Sequence, residues 1–430
     1  MFSSKRSPDF LTRFPVFYGW VILVVVSLAI FVSGPGQTYT ISIFVEPIIE
    51  EMGWSRTLIS TLYTAGSLAA ATAMIFVGRL LDRYGARSML FIICVLFGFA
   101  ALWMSRINRP SDLFWGFLAL RTLGQGSLTL IPTTLLALWF VRQRGRVTAL
   151  AGLGGAASLA IIPPVAHIII LNFGWRDTWV VFAFAIWGLL LIPVVALVRR
   201  SPESVGLRPD GDPPSHESYE QDSELLSQYE LDLTPKEDMR TRSFWLLLFT
   251  GSSQSLISTA LVFHQVSLFN SKGLDASLAA VTLTVMAISN VLGNLLAGFL
   301  VDKFPNRYVL ASAQLVTIVA MLSIFTISQP WHAFVYVGTL GLGNGLFMNA
   351  TTVIWPNYFG RKYLGSIRGI ATASMVAFAA MGPMPFGILY DRTGNYTSAI
   401  IIFLLLPAAC TLAAFFATRP EKVLLTRGSE

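Results

Sequence analysis

The sequence predicts an all-α membrane protein with twelve transmembrane helices in two pseudo-symmetric six-helix bundles. Apolar runs long enough to cross ~30 Å of hydrocarbon recur along a chain that is 54% hydrophobic and 12% charged; soluble chains carry about a quarter charged residues. The segment GRLLDRYGAR at 78–87 returns at 298–307 as GFLVDKFPNR, so that Gly78, Leu80, Asp82 and Arg87 fall on Gly298, Leu300, Asp302 and Arg307. The same offset of 220 carries Pro163 onto Pro383 and Gly174 onto Gly394. A repeat of about half the chain length, in so apolar a chain, denotes two homologous membrane halves.

The predicted spans are 17–39, 56–79, 88–105, 112–138, 146–172, 177–198, 243–270, 277–301, 308–328, 331–358, 364–390 and 395–418. Lipid offers bare backbone no hydrogen-bond partner, so each must be a helix. The domains follow as a first bundle at 1–198, a linker at 199–242 and a second bundle at 243–430. Rich in Pro, Ser, Asp and Glu and lacking apolar periodicity, the linker reads as solvated and mobile; its DSELLSQYELD stretch could form a short surface helix. The N-terminal run has a basic flank but no small-residue cleavage site, and reads as a retained first helix rather than a signal peptide. Cys94 and Cys410 lie in different apolar runs and read as small core residues, without a bridge.

Orientation follows from Lys and Arg. With both termini and the linker on one side, that side collects 23 of the 30 basic residues and the other side six. This bias places the termini in the cytoplasm of a multi-pass protein, read as lying in the cell (inner) membrane. It also accounts for the net charge of +7 without nucleic acid, because the basic residues are scattered over short loops.

In the turn at 78–87, Gly78 permits close helix approach. Asp82 can face the positive N-terminal end of a neighbouring helix, and Arg83 and Arg87 can pair with acidic or carbonyl groups there. Such contacts would hold one face of a carrier shut; alternatively the charges merely set topology. The pattern resembles the loop signature of the major facilitator superfamily, G-x-L-x-D-R-x-G-x-R, at every position, while the second copy has Lys303 and Pro305 in place of Arg and Gly. The resemblance covers all twelve spans and implies two bundles that rock around a central site, with Gly78, Asp82, Arg83, Arg87, Gly298, Asp302 and Arg307 forming the cytoplasmic gate. FYGW at 17–20, SGPGQTYTISIF at 33–44, GWSRT at 53–57, WFVRQRGRVTALAGLGGAAS at 139–158, YFGRKYLGSIRG at 358–369 and GPMPFG at 382–387 resemble the bacterial relatives of oxalate/formate antiporters and monocarboxylate transporters, which implies small organic anions. One departure is marked: where those carriers bind the carboxylate with a helix-eight Arg, this chain has Asn294, and their helix-eleven Lys has no counterpart.

Away from their ends, the predicted spans contain no Asp or Glu, and Arg121 alone among Lys and Arg lies deep within one. Burying an ion there costs at least ~2.5–3.5 kcal/mol on insertion scales. A lone cation in a cavity without carboxylates would favour an anionic substrate; equally, Arg121 could hydrogen-bond backbone carbonyls of its own bundle. Without a membrane carboxylate, the proton-coupling candidates are His167 and His264, of the side-chain type suited to carrying protons at physiological pH, but both could be plain hydrogen-bonding residues. A protonatable substrate, exchange or uniport would need neither.

Asn290, Asn294 and Gly298 share one helix face through their four-residue spacing. The amides could contact substrate or bond across to helix five, where Ala151 and Gly155 offer a close-packing surface. Gly34-Pro35-Gly36 breaks the first helix just before Gln37 and Tyr39, and interrupted helices expose backbone groups that bind solutes. Gln125 of the RTLGQG stretch, with Asn344 and Asn349 in the glycine-rich tenth span, completes the substrate-binding candidates. Trp139, Trp355 and Tyr358 at helix ends read as interfacial anchors.

There is no HExxH, P-loop, GxSxG or membrane aspartate pair, so hydrolytic or ATP-driven chemistry lacks its parts and an enzyme is not expected. The expected function is secondary active transport of a small organic solute, a carboxylate anion by preference, by a monomer in the lipid bilayer with no cofactor or metal. Export of amphipathic or drug-like compounds, and a non-transporting sensor on a carrier fold, are the alternatives.

Overall fold

The structure, a computed structural model, describes residues 17–211, 234–274 and 276–420. The surface helix expected at 222–232 and the basic N-terminal tail lie outside the described residues. Within them the regular structure is entirely helical, in twelve spans and the short helical turns Glu203–Val205, Pro209–Gly211, Pro235–Asp238 and Ile324–Thr326. The first six are α1 (Gly19–Val32, a tight turn Gly34–Gly36, then Thr38–Met52), α2 (Arg56–Tyr84), α3 (Ala86–Met104), α4 (Pro110–Leu120, a π-helical turn Arg121–Ser127, then Leu128–Trp139), α5 (Arg144–Phe173) and α6 (Trp175–Ile186, Trp187–Leu191, Ile192–Leu197). The second six are α7 (Arg242–Phe263, Gln265–Ser271), α8 (Ala276–Lys303), α9 (Asn306–Ser323), α10 (Pro330–Phe359), α11 (Leu364–Met381, Pro383–Thr393) and α12 (Thr397–Phe416).

Ten of these spans are apolar and long enough to cross a membrane by length and composition. The other two, α4 and α10, stand in equivalent places of the repeat, and polar and glycine residues dilute both. Each opens with proline in the first turn and an N-cap amide donating to the side chain three residues on, Arg109 N to Asp112 Oδ2 at 3.0 Å and Gln329 N to His332 Nδ1 at 3.1 Å. Gly174 and Gly394, at equivalent places of the repeat, end α5 and α11 with φ of 83° and 70°, positive values that a side chain disfavours. Large apolar side chains such as Leu171, Ile192, Leu405 and Phe416 project outward. In water so extensive an apolar exterior would be a liability; against lipid it is the matching surface.

By internal packing the chain divides into two units. The first takes residues up to Glu230 together with Arg361–Ala373; the second takes Leu231–Gly360 and Ser374–Glu430. In the first, Phe44 stacks on Trp179 at 4.4 Å, and Arg144 closes the end of α4 by donating to the carbonyls of Ala137 and Phe140. In the second, Ile257, Phe269, Tyr336, Phe386 and Phe403 share one apolar core. Cys94 and Cys410 are free and buried, one in each unit.

Three expectations are corrected. The first span does not end at 39: after its break the helix resumes and runs to Met52, where Gly53 terminates it with φ 66°. The seventh and eleventh spans are not continuous. Non-helical ψ at His264 divides α7, and Pro383, which has no N–H to continue the ladder, restarts α11. Finally, Trp139, Trp355 and Tyr358 are buried rather than interfacial. Trp139 packs on Phe17 and Tyr18, and the Tyr358 hydroxyl donates to the carbonyl of Ala417.

Candidate functional site

The broken helix and the π turn meet in the first unit. Gly36 sits so close to α4 that a Cβ there would lie 2.8 Å from Gly124 Cα and 3.0 Å from Gln125 N. Two irregular backbones therefore touch, where regular helices with side chains would stand apart. The π turn starts at Arg121, and single π turns of this kind often mark functional sites. Arg121 Nη1 donates to Thr38 Oγ1 at 3.0 Å, the first helical residue after the α1 break. Tyr63 of α2 joins its hydroxyl to the same Thr38 oxygen at 2.8 Å, and its ring lies 5.1 Å from Arg121 Cζ. The guanidinium is thus held by a neutral hydroxyl and an aromatic ring. Among the described residues no carboxylate pairs with it. Its remaining N–H groups form a fork suited to a planar or tetrahedral anion.

The neighbouring candidates are partly committed. Gln37 Nε2 donates to Ser33 Oγ at 3.0 Å. The Tyr39 hydroxyl donates to Ser158 Oγ at 2.9 Å, which in turn donates to the carbonyl of Phe31. This chain pins the carbonyl end of α1's first half to α5. Gln125 is half-buried with an unpartnered Oε1. Sequence reasoning missed Thr38, Tyr63 and Ser158, because residues from three different helices give no spacing signal.

In the second unit the amides pair with one another. Asn349 Nδ2 donates to Asn294 Oδ1 at 2.9 Å, and Asn344 Oδ1 accepts from Ser258 Oγ at 2.6 Å and Gln254 Nε2 at 2.9 Å. Asn290 lies on the same stretch, its backbone against Gly345 of α10. The Asn294 amide is thus committed to α10, while within the first unit Gly154 of α5 packs against Ser27 of α1. His264, at the α7 break, lies 3.0 Å from the Pro383 carbonyl through Nε2 and 3.3 Å from the Tyr396 hydroxyl through Nδ1. It staples the α7 and α11 breaks together. His167 is exposed, without a hydrogen-bond partner among the described residues.

At the loop motif, Asp82 caps the start of α11. Its Oδ1 accepts from Gly365 N at 2.8 Å and its Oδ2 from Ser366 N at 2.7 Å, with the Ser366 hydroxyl also donating to Oδ2. These are first-turn amides at the positive end of a helix, where a carboxylate is stabilised. Gly78 and Gly365 together make the approach possible, because a Cβ on Gly78 would collide with the Gly365 carbonyl and one on Gly365 would lie 2.7 Å from the Gly78 carbonyl. Arg87 donates to the Val195 carbonyl at 2.9 Å. Arg83 is exposed and lies over the adjacent Tyr84 ring, so it finds no acidic or carbonyl partner there. In the second copy Gly298 is buried, Asp302 half-buried, and Arg307 bonds the Tyr308 hydroxyl at 2.8 Å.

Comparison with known proteins fits this architecture. The Major Facilitator Superfamily profile matches residues 26–375 and, in a second match, 244–429. A probable sulfoacetate transporter of Cupriavidus necator is 25% identical over 417 residues, covering 92% of this chain and 93% of that protein. A probable L-galactonate transporter of Escherichia coli is 24% identical over 394 residues, with 86% and 83% covered. A double-tryptophan mutant of XylE shares the fold with a TM-score of 0.72 over 96% of this chain and 99% of that one, at 15% identity. The chain belongs to the Major Facilitator Superfamily and is a multi-pass membrane transporter, not an enzyme.

Proposed function

We propose that this secondary transporter moves a small organic anion, a carboxylate or sulfonate, by alternating access, with Arg121 as the residue that holds the anionic group. The observation that carries the reading is the Arg121 guanidinium, kept inside the first unit by Thr38 and Tyr63 with no carboxylate to neutralise it. A charge so placed is costly, and an anionic cargo repays that cost each time it binds. The names of the sulfoacetate and galactonate relatives agree with this chemistry. Both histidines weigh against a built-in proton relay: His264 is occupied in joining two helix breaks, and His167 is exposed. Exchange of anions, or entry of a substrate with its own proton, then supplies the coupling. On this reading the basic-residue bias favours a cytoplasmic loop motif and cytoplasmic termini in the inner membrane, with the Asp82 cap of α11 at that side.

The test is uptake by the purified protein in liposomes, using sulfoacetate, L-galactonate, lactate and oxalate as probes. At least one accumulates or exchanges, and Arg121→Gln abolishes this at unchanged folded yield. Transport of cationic dyes, with indifference to all four anions, would overturn the reading.

A further inference from the structure

Besides Arg121, the first unit holds a second guanidinium inside its packing without a carboxylate partner among the described residues, that of Arg368 in the second turn of α11. Its Nη1 reaches Thr134 Oγ1 of α4 at a long 3.4 Å, and among the described residues no ion pair involves it. Gly365 and Gly369, on either side of Arg368, pack against Gly78 and Met74 of α2; Arg368 turns instead toward α4. A basic residue that only sets topology needs no such placement. Nearby Lys362 is exposed, and Arg361 is fully engaged, with the Leu138 carbonyl at 3.0 Å and Glu203 at 3.3 Å.

The two groups stand at either end of one stretch of α4, Arg121 on that helix and Arg368 reaching it from α11 at Thr134. Arg121, Gln125, Thr129 and Thr133 follow at four-residue spacing on α4 and are all half-buried. The Thr129 and Thr133 hydroxyls donate back to their own helix, so the stripe offers little to retain an anion between its ends. From Arg121 to Thr134 is thirteen residues, or ~20 Å of helix. A small anion cannot bridge that distance.

We infer that Arg368 is a second anion-binding position near the loop-motif face, taking the same class of small carboxylate or sulfonate as Arg121 but at a different stage of the cycle. The inference rests on the anion reading of Arg121. An anion leaving Arg121 toward this face meets Arg368 one turn from the Asp82–Ser366 contact, so occupancy of the second position and opening of that face fall on the same stretch of α11.

The experiment is residue-resolved footprinting of the full-length protein with phenylglyoxal, read by mass spectrometry, with and without 10 mM sulfoacetate or L-galactonate. Modification of Arg368 is expected to slow at least fivefold with one of the two anions, in wild type and in Arg121→Gln alike. Protection of Arg121 without protection of Arg368 overturns this inference and leaves the first reading standing; protection of neither residue overturns both. Repeating the measurement in detergent and in nanodiscs rich in phosphatidylglycerol separates a soluble anion from a lipid phosphate. Full protection in nanodiscs before any anion is added would assign the position to lipid and overturn the inference. In liposomes, Arg368→Gln should raise the apparent KM at the loop-motif face about tenfold and leave the opposite face within twofold, with Arg368→Lys intermediate. Equal effects on both faces would show a merely structural residue.

Discussion

Asp82 of α2 and Ser366 of α11 are joined twice through one oxygen, since both the amide and the hydroxyl of Ser366 donate to Asp82 Oδ2. With Gly365 on the other oxygen, the carboxylate satisfies the first-turn donors of α11 from a helix 284 residues away in sequence. Asp82→Asn keeps the shape but removes the charge and one acceptor. A charge-assisted cap of this kind is worth about 1–2 kcal/mol, which corresponds to a roughly five- to thirtyfold shift between closed and open. With Cys94→Ala and Cys410→Ala as background, maleimide labelling of a Leu81→Cys probe should accelerate by that factor in the Asn variant. An unchanged labelling rate would show that the cap does not control access.

Tyr63 serves the anion site in two ways, through its hydroxyl on Thr38 and through its ring against Arg121. Tyr63→Phe keeps the ring beneath the guanidinium and removes the 2.8 Å contact to Thr38. Loss of one net hydrogen bond, about 0.5–1.5 kcal/mol, should raise KM for the transported anion roughly two- to tenfold with little change in kcat. A fall in kcat at constant KM would place Tyr63 in the conformational step instead.

What the sequence disclosed, and what it did not, divides along physical lines. Helix number, the repeat, Arg121 and the Asp82 turn were legible because apolar run length, self-similarity and isolated charge are one-dimensional signals. The α1 break was legible too, since Gly34-Pro35-Gly36 cannot continue a helix. The α4 π turn was not: RTLGQG has no composition that separates π from α, and the turn packs against Gly36 from another helix. Nor was the partnering of Asn294, because its four-residue spacing with Asn290 fixes a face but not what that face meets. Arg368 read as one more cytoplasmic charge, for its long reach to Thr134 crosses 234 residues of sequence.

The Asn294–Asn349 pair should be structural. Asn349→Ala leaves Asn294 without its 2.9 Å partner between α8 and α10, an unmade bond that costs about 1–3 kcal/mol. The melting temperature should fall, the Asn294→Ala,Asn349→Ala double variant should be less destabilised than the two singles combined, and KM should hold. A tenfold rise in KM at unchanged melting temperature would return these amides to the substrate site.

Just before α7, two adjacent carboxyls are driven in opposite directions. Glu237 accepts from the Thr234 amide at 2.7 Å, which holds it below the usual carboxylate range. Asp238 is fully buried, neither of its carboxylate oxygens has a partner among the described residues, and burial aided by the Glu237 charge pushes it up to about 8. An unfolded Asp titrates near ~3.9, so between about 4 and 8 the folded turn holds a proton that the unfolded one lacks. Stability of the turn is therefore full below about pH 4 and declines as pH rises through about 8. Hydrogen exchange of the amides at 234–241, corrected for intrinsic rates, should show progressively less protection from pH 5 to pH 9. Asp238→Asn, neutral throughout, should flatten that slope. Equal slopes in wild type and variant would mean that Asp238 ionises normally and that water reaches it.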